Sequence, residues 1–341
     1  MTYHSKAPLR IGLAGGGTDV SPYSDLYGGA VLNAAISLYA HATIEINDEK
    51  GILLSAVDRN EEQQFEPGNK LPVNGKLDLL KAVYNRMLKD YELPVLNFKL
   101  STFVDVPLGS GLGTSSTLVV AIIGAFKEML QFSMSDNEIA HYAYEIERKD
   151  LQHPGGKQDQ YAAVFGGINY MEFFESDQVN VTRLEIKPEY LKQLENNLLL
   201  WYTSTGRDSA AIIKQQAQNV IDQKQEPVEA MHQLKQQAQR MKEVLMSGRL
   251  DELGDILDFG FQQKRKMADG ISNNLIEDIY ETAKSAGATG GKISGAGGGG
   301  FMIFYCPGNT KQKVIESLEK FGGGHRAFHF EGYGLTSWVT T

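Results

Sequence analysis

Glycine and hydroxyl side chains are combined in one segment of the sequence in a way that suits the binding of an anion. In residues 105–116, glycine occupies positions 109, 111 and 113, and Thr114, Ser115 and Ser116 follow directly. Glycine lets the backbone fold tightly and approach a ligand closely, and the free amides at the start of the next helix attract phosphate groups. We therefore predict a phosphate-binding loop between a strand and a helix, with a glycine-rich capped turn that binds no ligand as the alternative.

Two further segments, residues 10–19 and 292–300, combine glycine with polar side chains. In the first, Thr18 and Asp19 are suited to hydrogen-bond neighbouring hydroxyl groups of a ligand. The P-loop string Gly-x-x-x-x-Gly-Lys-Ser/Thr does not occur, and the Gly-x-Gly-x-x-Gly at residues 295–300 precedes a strand-like run, whereas a dinucleotide-binding motif requires a helix there. Loops from distant parts of a chain can converge on one polyphosphate group, although the sequence alone does not show that these do.

The hydrophobic pattern predicts the strands and helices that would position these loops. Strands are predicted at residues 9–14, 30–47, 96–104, 168–174, 198–203 and 327–330, with two short strands within residues 290–305. Helices are predicted at residues 79–88, 114–130, 135–149, 273–286 and 310–320, together with a helix-rich stretch at residues 208–261. Ser135 and Glu138 form a capping box at the start of the third helix. The polar stretch at residues 175–192 is predicted to connect two domains.

The composition is that of a globular chain with an excess of glycine. Of the 341 residues, 36 are glycine, against about 24 at the usual frequency of roughly 7%. A hydrophobic content of 42% excludes a disordered chain, and a net charge of −9 argues against a nucleic-acid partner. No apolar run has the length of a membrane span, and the single cysteine, Cys306, excludes an intramolecular disulfide. We therefore expect a soluble, cytoplasmic protein.

The three glycine-rich segments, in this order and at these separations, resemble the three motifs of the GHMP kinase superfamily. Residues 8–19 are similar to the first motif, and residues 292–300 are similar to the third. Residues 107–116 are similar to the family's phosphate loop, with Thr114 in place of its first serine. The resemblance extends from residue 8 to about residue 305, which is most of the chain.

This resemblance implies an α+β, two-domain fold. The N-terminal domain, residues 1–185, would be an α/β domain with a mixed sheet and would contain the phosphate loop. The C-terminal domain, residues 186–341, would be α+β and would contain the third glycine-rich motif. ATP and the substrate would bind in the cleft between the two domains.

The resemblance also implies roles for individual side chains. Asp159 lies where related sugar kinases carry a catalytic aspartate, and Arg10 takes the place of a basic residue that steadies this carboxylate and the transferred phosphate. Ser115 and Glu147 match the family's magnesium ligands. Glu145 is the competing assignment, but two positions along a helix the carboxylates do not share a face. The implied cofactors are ATP and Mg²⁺, and the predicted ATP-binding residues are Pro107, Gly109, Ser110, Gly111, Leu112, Gly113, Thr114, Ser115 and Ser116.

The first motif narrows the choice of substrate. Galactokinases carry Gly-Glu-His-Thr-Asp where this chain has Gly-Gly-Gly-Thr-Asp at residues 15–19, so glycine replaces two side chains that contact the sugar. Three glycines there would open room for a longer, seven-carbon substrate. Residues 15–33 most resemble the branch of the superfamily that phosphorylates the anomeric hydroxyl of D-glycero-D-manno-heptose 7-phosphate. A fucose-type sugar 1-kinase and a catalytically silent sugar-binding member are the alternatives.

A substrate that already carries a phosphate needs a second anion site. Lys157 and Arg207 are the candidates for it, and their alternative interpretation is as ordinary surface or interdomain cations. The expected partners are a sugar phosphate and ATP, without nucleic acid or membrane, and the chain is expected to be a monomer or a homodimer. The predicted substrate-binding residues are Gly16, Gly17, Thr18, Asp19, Lys157, Arg207, Gly297 and Gly298.

Overall fold

The computed structural model describes residues 1–46, 51–91, 95–205 and 209–341, which form two β-sheets and the helices that pack on them. The strands are β1 (Thr2–Ala14), β2 (Gly29–Ile46), β3 (Ile52–Ala56), β4 (Glu61–Phe65), β5 (Phe98–Val104), β6 (Ile168–Phe173), β7 (Val179–Arg183), β8 (Leu198–Tyr202), β9 (Gly290–Ile293), β10 (Phe301–Tyr305), β11 (Gly324–His325) and β12 (Thr336–Thr340). The helices are α1 (Tyr23–Tyr27), α2 (Asp78–Asp90), α3 (Thr114–Leu130), α4 (Asp136–Glu145), α5 (Gln158–Phe165), α6 (Pro188–Asn197), α7 (Ser209–Ile221), α8 (Gln225–Ser247), α9 (Leu253–Arg265), α10 (Asn274–Ala286) and α11 (Lys311–Leu318).

The first sheet is mixed, as the family resemblance predicts. Its strands run in the order β12-β1-β2-β5-β3-β4, with β6 paired to β2 and β7 paired to β6. β3 and β5 are parallel, whereas the other neighbours are antiparallel. β2 has 18 residues, so its first part pairs with β6 and its last part with β5. The apolar helix α3 packs on β1 and β2 and places the phosphate loop at its N-terminus.

The second sheet is antiparallel and has the strand order β11-β8-β10-β9. β8 and β10 are continuous apolar runs, as is typical of strands that are buried on both faces. Leu200 and Ile303 on one face pack into the core that includes the first sheet. Trp201 and Phe304 on the other face pack into a separate cluster with side chains of α9 and α10. The second sheet is therefore enclosed between two apolar layers.

The structure differs from the sequence prediction at two places. The stretch at residues 175–192 is more than a connection, because Val179–Arg183 forms β7 beside β6. Residues 327–330 form no strand; Phe330 makes an isolated bridge with Ile36, and the strand near this end is β12, which pairs with β1. β12 lies at a sheet edge, is largely exposed and lacks the apolar alternation that marks a strand in a sequence. β7 also lies at an edge, and its alternation is confined to Val179 and Val181 within a polar stretch.

Several local predictions are confirmed. The helix predicted at residues 114–130 has these bounds, and the capping box of α4 is formed by Ser135 and Glu138. The division of the chain into two domains at residues 185/186 stays a prediction. The strand β12 belongs to the first sheet, so the residues after position 185 do not all lie with the second sheet. Among the helices in the described ranges, none is long and apolar enough to cross a membrane.

Candidate active site

The three glycine-rich segments, which are far apart in the sequence, line one cleft of about 390 Å³. Hydrogen bonds join them directly. The Arg10 N–H donates to the carbonyl oxygen of Leu112 (3.1 Å), and the Ser294 hydroxyl donates to that of Gly111 (2.8 Å). Both the first and the third segment are thus fastened to the predicted phosphate loop, and the convergence that the sequence left open is present.

The predicted phosphate loop connects β5 to α3 and depends on glycine for its path. Gly109, Gly111 and Gly113 have φ angles of 76°, 80° and 79°, in the left-handed region that other residues adopt only at a cost. At Gly111 a side chain is also excluded by space, because a Cβ atom would lie 2.7 Å from the Ser294 carbonyl oxygen. The loop leads into the N-terminus of α3, where backbone amides favour an anion.

Six of the nine predicted ATP-binding residues line the cleft, namely Gly109, Gly111, Gly113, Thr114, Ser115 and Ser116. Pro107, Ser110 and Leu112 do not. Leu112 is fully buried, and the carbonyl oxygens of Pro107 and Ser110 accept backbone hydrogen bonds, so these three residues shape the loop. Contact of the nine with ATP stays a prediction.

Asp159 and Arg10 form an ion pair in the cleft. Arg10 Nε donates to Asp159 Oδ1 (2.7 Å), and Arg10 Nη2 lies 2.6 Å from the same oxygen. Arg10 Nη1 donates to the Gly111 carbonyl oxygen (2.7 Å), so one guanidinium joins the carboxylate to the phosphate loop. The Asp159 side chain is 22% exposed and that of Arg10 only 5%, which leaves the carboxylate open to the cleft while its cation is buried.

The Glu147 carboxylate also faces the cleft, from the π-helical turn Ile146–Asp150 that follows α4. It is buried, and its Oε2 accepts a hydrogen bond from Gln160 Nε2 (2.5 Å), which donates as well to the Ser116 hydroxyl (3.0 Å). Gln160 Oε1 is buried without a partner among the described residues. Sequence reasoning missed Gln160, which ties Glu147 to the phosphate loop.

Glu145 lies elsewhere. Its carboxylate pairs with Arg86 (2.7 Å) and Lys149 (3.0 Å), and it does not line the cleft. Magnesium that accompanies a nucleotide takes one or two protein oxygen ligands besides the phosphates and water. Ser115 and Glu147, a hydroxyl and a buried carboxylate in the same cleft, fit that requirement, and Glu145 does not.

Asp19 lines the cleft, and its carboxylate is held by three N–H groups. Oδ1 accepts from the Gly17 N–H (3.1 Å) and from Gln158 Nε2 (3.0 Å), and Oδ2 accepts from the Gln158 N–H (3.2 Å). A Cβ atom at Gly156 would lie 1.8 Å from Oδ2, so only glycine allows this arrangement. Gly16 and Gly17 line the same part of the cleft.

Thr18 was predicted to bind the substrate, and the structure places it differently. Its hydroxyl is fully buried, donates to the carbonyl oxygens of Gly15 (2.8 Å) and Ala30 (2.9 Å), and accepts from the Ala30 N–H (3.1 Å). These bonds hold the first glycine-rich segment, residues 10–19 (the first loop), against β2. Thr18 does not line the cleft.

Lys157 does not line the cleft either, which argues against an anion site at this residue. Its ammonium group is buried and lies 3.0 Å from both Asp25 Oδ1 and Asp177 Oδ1. The Lys157 charge is therefore neutralised inside the protein. Arg207, the other candidate, lies outside the described residues. Of the two predicted glycines in the third segment, Gly297 lines the cleft and Gly298 does not.

We expect Lys157→Met to lower the free energy of unfolding by about 2–4 kcal/mol, because it leaves the partly buried carboxylates of Asp25 and Asp177 without their shared cation. Burial raises the pKa of Asp177, but the hydrogen bond and charge of Lys157 outweigh it and hold that pKa below its usual value. The contribution is thus present at neutral pH and is lost as the pH falls through the lowered pKa. The stability deficit measured by chemical denaturation should shrink in acid.

Lys149→Met is the control for this prediction, because Lys149 also pairs with Asp177 but is half exposed. It should cost much less stability. The Michaelis constant for the sugar should be unchanged in both variants. A stable Lys157→Met protein with a raised Michaelis constant would show that the lysine binds substrate after all.

Two buried lysines in the cleft were not assigned a role from the sequence. Lys292 Nζ donates to the Gly12 carbonyl oxygen (2.6 Å), and burial together with the charges of Lys264 and Arg10 lowers the pKa of Lys292 well below its usual value. Lys264 Nζ lies 3.4 Å from the Gly16 carbonyl oxygen. The sequence does contain an indication that Lys264 is buried. It follows Phe261, which is buried, by three positions and so falls on the apolar side of α9.

The fold and the cleft define a class of protein, and comparison with known families identifies it. The model of the GHMP kinases N-terminal domain matches residues 78–167, and that of the GHMP kinases C-terminal domain matches residues 241–324. The chain belongs to the GHMP kinases and is an ATP-dependent phosphotransferase.

Individual relatives are similar over the whole chain. The D-glycero-alpha-D-manno-heptose 7-phosphate kinase of Campylobacter jejuni is 44% identical over 337 residues, which are 99% of each chain. The crystal structure of a D-glycero-D-manno-heptose 1-phosphate kinase from Bacteroides thetaiotaomicron is 42% identical, with a TM-score of 0.85 over 99% of each chain. A galactokinase of Lactococcus lactis, 17% identical with a TM-score of 0.76 over 98% of this chain and 95% of its own, shares the fold.

Proposed function

We propose that the protein transfers the γ-phosphoryl group of ATP to the anomeric hydroxyl of D-glycero-D-manno-heptose 7-phosphate. The product would be heptose 1,7-bisphosphate, an intermediate of nucleotide-activated heptose synthesis. The observation that carries this proposal is the Arg10–Asp159 ion pair. It lies beside the phosphate loop, because Arg10 also donates a hydrogen bond to the Gly111 carbonyl oxygen. The 44% identity to the Campylobacter jejuni heptose 7-phosphate kinase supports the choice of substrate.

The reaction requires a group that takes the proton of the attacking hydroxyl and groups that compensate the charge on the transferred phosphoryl. Asp159 would accept the proton, and Arg10 would orient the carboxylate through their ion pair. The amides of the phosphate loop and of the α3 N-terminus would bind the ATP phosphates. Mg²⁺, held by Ser115 and Glu147, would neutralise charge on the β- and γ-phosphates.

The first loop would hold the sugar. The Asp19 carboxylate is fixed by three N–H donors and still lines the cleft, so it is placed to accept hydrogen bonds from sugar hydroxyls. Gly16 and Gly17 add no side chains of their own to this part of the cleft. A Cβ atom at Gly16 would meet no atom closer than 4.0 Å, so the space beside this residue is open, and it would suit a seven-carbon acceptor better than a shorter hexose.

We place this reaction in the cytoplasm, in a monomer or homodimer. A cytoplasmic location supplies ATP and keeps thiols reduced. Cys306 is consistent with it as a free, buried thiol whose pKa burial raises to about 12, which makes it an inert side chain.

ATP turnover with a panel of acceptors tests the proposal. We expect the kcat/KM for heptose 7-phosphate to exceed those for fucose, mannose and galactose by at least about 100-fold. Those three sugars carry no phosphate, so they would leave the second anion site of the enzyme empty. Turnover of unphosphorylated sugars alone would contradict the proposed substrate and favour a fucose-type kinase. No turnover with any acceptor would favour a sugar-binding protein without catalytic activity.

A further inference from the structure

The end of the cleft beside the first loop contains an ammonium group that lacks close acceptors. Lys264 is buried at 2% exposure. In the part of the chain that the structure describes, its one hydrogen bond is to the Gly16 carbonyl oxygen at 3.4 Å, and no carboxylate lies within ion-pair distance. An ammonium group has three N–H donors and prefers acceptors at about 2.7–2.9 Å. Lys264 therefore has donors free for a ligand.

A second donor lies at the same end of the cleft, on a different helix. Gln216 of α7 lines the cleft and is 1% exposed, and its Nε2 atom has no hydrogen-bond partner among residues 1–46, 51–91, 95–205 and 209–341. Its amide is close to the first loop, because a Cβ atom at Gly17 would lie 3.7 Å from Gln216 Oε1. A buried amide without an acceptor is costly, and a bound anion would satisfy it.

Several cations and carboxylates lie close to one another in this part of the cleft. Three cations, Lys264, Lys292 and Arg10, interact with one another. The carboxylates that interact with them are Asp19 and Asp159. The Arg10 charge is used by Asp159, and the Asp19 carboxylate is held by backbone and amide N–H groups. Lys292 donates to the Gly12 carbonyl oxygen at 2.6 Å, and its pKa lies well below the usual value. Among these three cations, Lys264 is therefore the one whose ammonium group is best placed to bind an anionic ligand.

The pKa of Lys264 reflects its burial and the charges of its neighbours. Burial lowers it to about 8, with Asp19 raising it and Arg10 lowering it. A ligand with negative charge at this position would hold Lys264 in its protonated form, and its binding would be stronger for that reason.

We propose that Lys264 and Gln216 form a second anion site, which binds the phosphate monoester carried by the sugar acceptor. Lys264 and Gln216 lie against Gly16 and Gly17 of the first loop, whereas Arg10 reaches the phosphate loop. The site therefore belongs to the acceptor and not to ATP. It is an alternative to the anion site predicted at Lys157 and Arg207, and it rests on the proposed function in taking the acceptor to be a sugar phosphate.

Kinetics with two acceptors test the site. Lys264→Met keeps the length of the side chain without its charge, Gln216→Leu removes the amide, and Lys266→Met is the control, since Lys266 is exposed at the end of the same helix. With heptose 7-phosphate we expect kcat/KM to fall about 30- to 100-fold in Lys264→Met and about tenfold in Gln216→Leu, mostly through KM. With the same heptose lacking the phosphate, the variants and the wild type should be nearly equal.

Equal losses with both acceptors would overturn the inference, because Lys264 would then serve the transferred phosphoryl group. Unchanged kinetics in Lys264→Met would overturn it as well. Circular dichroism and the melting temperature would confirm that each variant is folded.

Calorimetric titration with heptose 7-phosphate, without nucleotide, separates this inference from the proposed function. Binding to the wild type that is weakened about 30-fold or more in Lys264→Met supports the anion site even if turnover is absent. Binding of equal strength in both proteins, or no binding to the wild type, contradicts the site even if the enzyme is a sugar kinase.

Discussion

Asp159→Asn is expected to lower kcat by about 10²- to 10⁴-fold with little change in the Michaelis constant for ATP. Asparagine has nearly the same shape and can still accept the hydrogen bond from Arg10 Nε, which is 2.7 Å from Asp159 Oδ1. It cannot accept the proton of the sugar hydroxyl. The substitution therefore removes the proposed base while it leaves the arrangement of the phosphate loop in place.

Single-turnover kinetics would show whether the chemical step is slowed. Binding of a fluorescent ATP analogue with the wild-type affinity would show that the nucleotide site is intact. A variant that retains kcat within about tenfold of the wild type would contradict the assignment of Asp159 as the base, since general-base catalysis supplies more than that. The Arg10–Asp159 pair would then act only in holding the loop.

Glu147→Gln is expected to have the second-largest effect. The buried carboxylate would lose its charge but keep its size, so kcat/KM should fall about 10²- to 10³-fold, as expected when a group that stabilises charge in the transition state is lost. The dependence on Mg²⁺ should shift to higher concentrations. Electron paramagnetic resonance of Mn²⁺ in the presence of ATP gives a direct reading of metal binding, independent of turnover.

Glu145→Gln is the matched control for this substitution. Glu145 lies two positions earlier, carries the same functional group and pairs with Arg86 and Lys149 outside the cleft. It should bind Mn²⁺·ATP and turn over substrate at nearly the wild-type level. Loss of Mn²⁺ binding in Glu145→Gln together with normal binding in Glu147→Gln would reverse the assignment.

Features that depend on local sequence were predictable. The helix at residues 114–130 starts directly after a glycine-rich loop and is apolar from residue 118 to residue 126, so its bounds follow from a few neighbouring residues. The capping box of α4 is likewise contained within four residues. The three loops that line the cleft were predictable from their glycines, because each requires a backbone path or a close approach that other residues do not allow.

The partners of individual polar side chains were not predictable in the same way. Lys157 stands beside the proposed base in sequence, yet Asp25 and Asp177 reach it from distant elements and neutralise it. Thr18 has a hydroxyl that could serve a sugar, but β2 supplies the acceptors and donor that use it. A side chain of a given type serves a ligand or the core according to which distant residues pack beside it.

Lys264 shows the same limitation in reverse. Its spacing from Phe261 places it on the apolar side of α9, but the packing of α9 against the first loop is what brings its ammonium group into the cleft. The edge strand β12 was missed for a related reason. Its exposed side chains carry little pattern, and its pairing with β1 joins the two ends of the chain.

The position of the new phosphate in the product tests the central claim most directly. Phosphorus NMR of a reaction with heptose 7-phosphate, ATP and Mg²⁺ should show the 7-phosphate signal retained and a second sugar-phosphate signal split by the anomeric proton, with one ADP formed for each product molecule. A new phosphate coupled to a proton at any other carbon, or no second sugar-phosphate signal from heptose 7-phosphate, would contradict phosphorylation at the anomeric hydroxyl of a heptose phosphate.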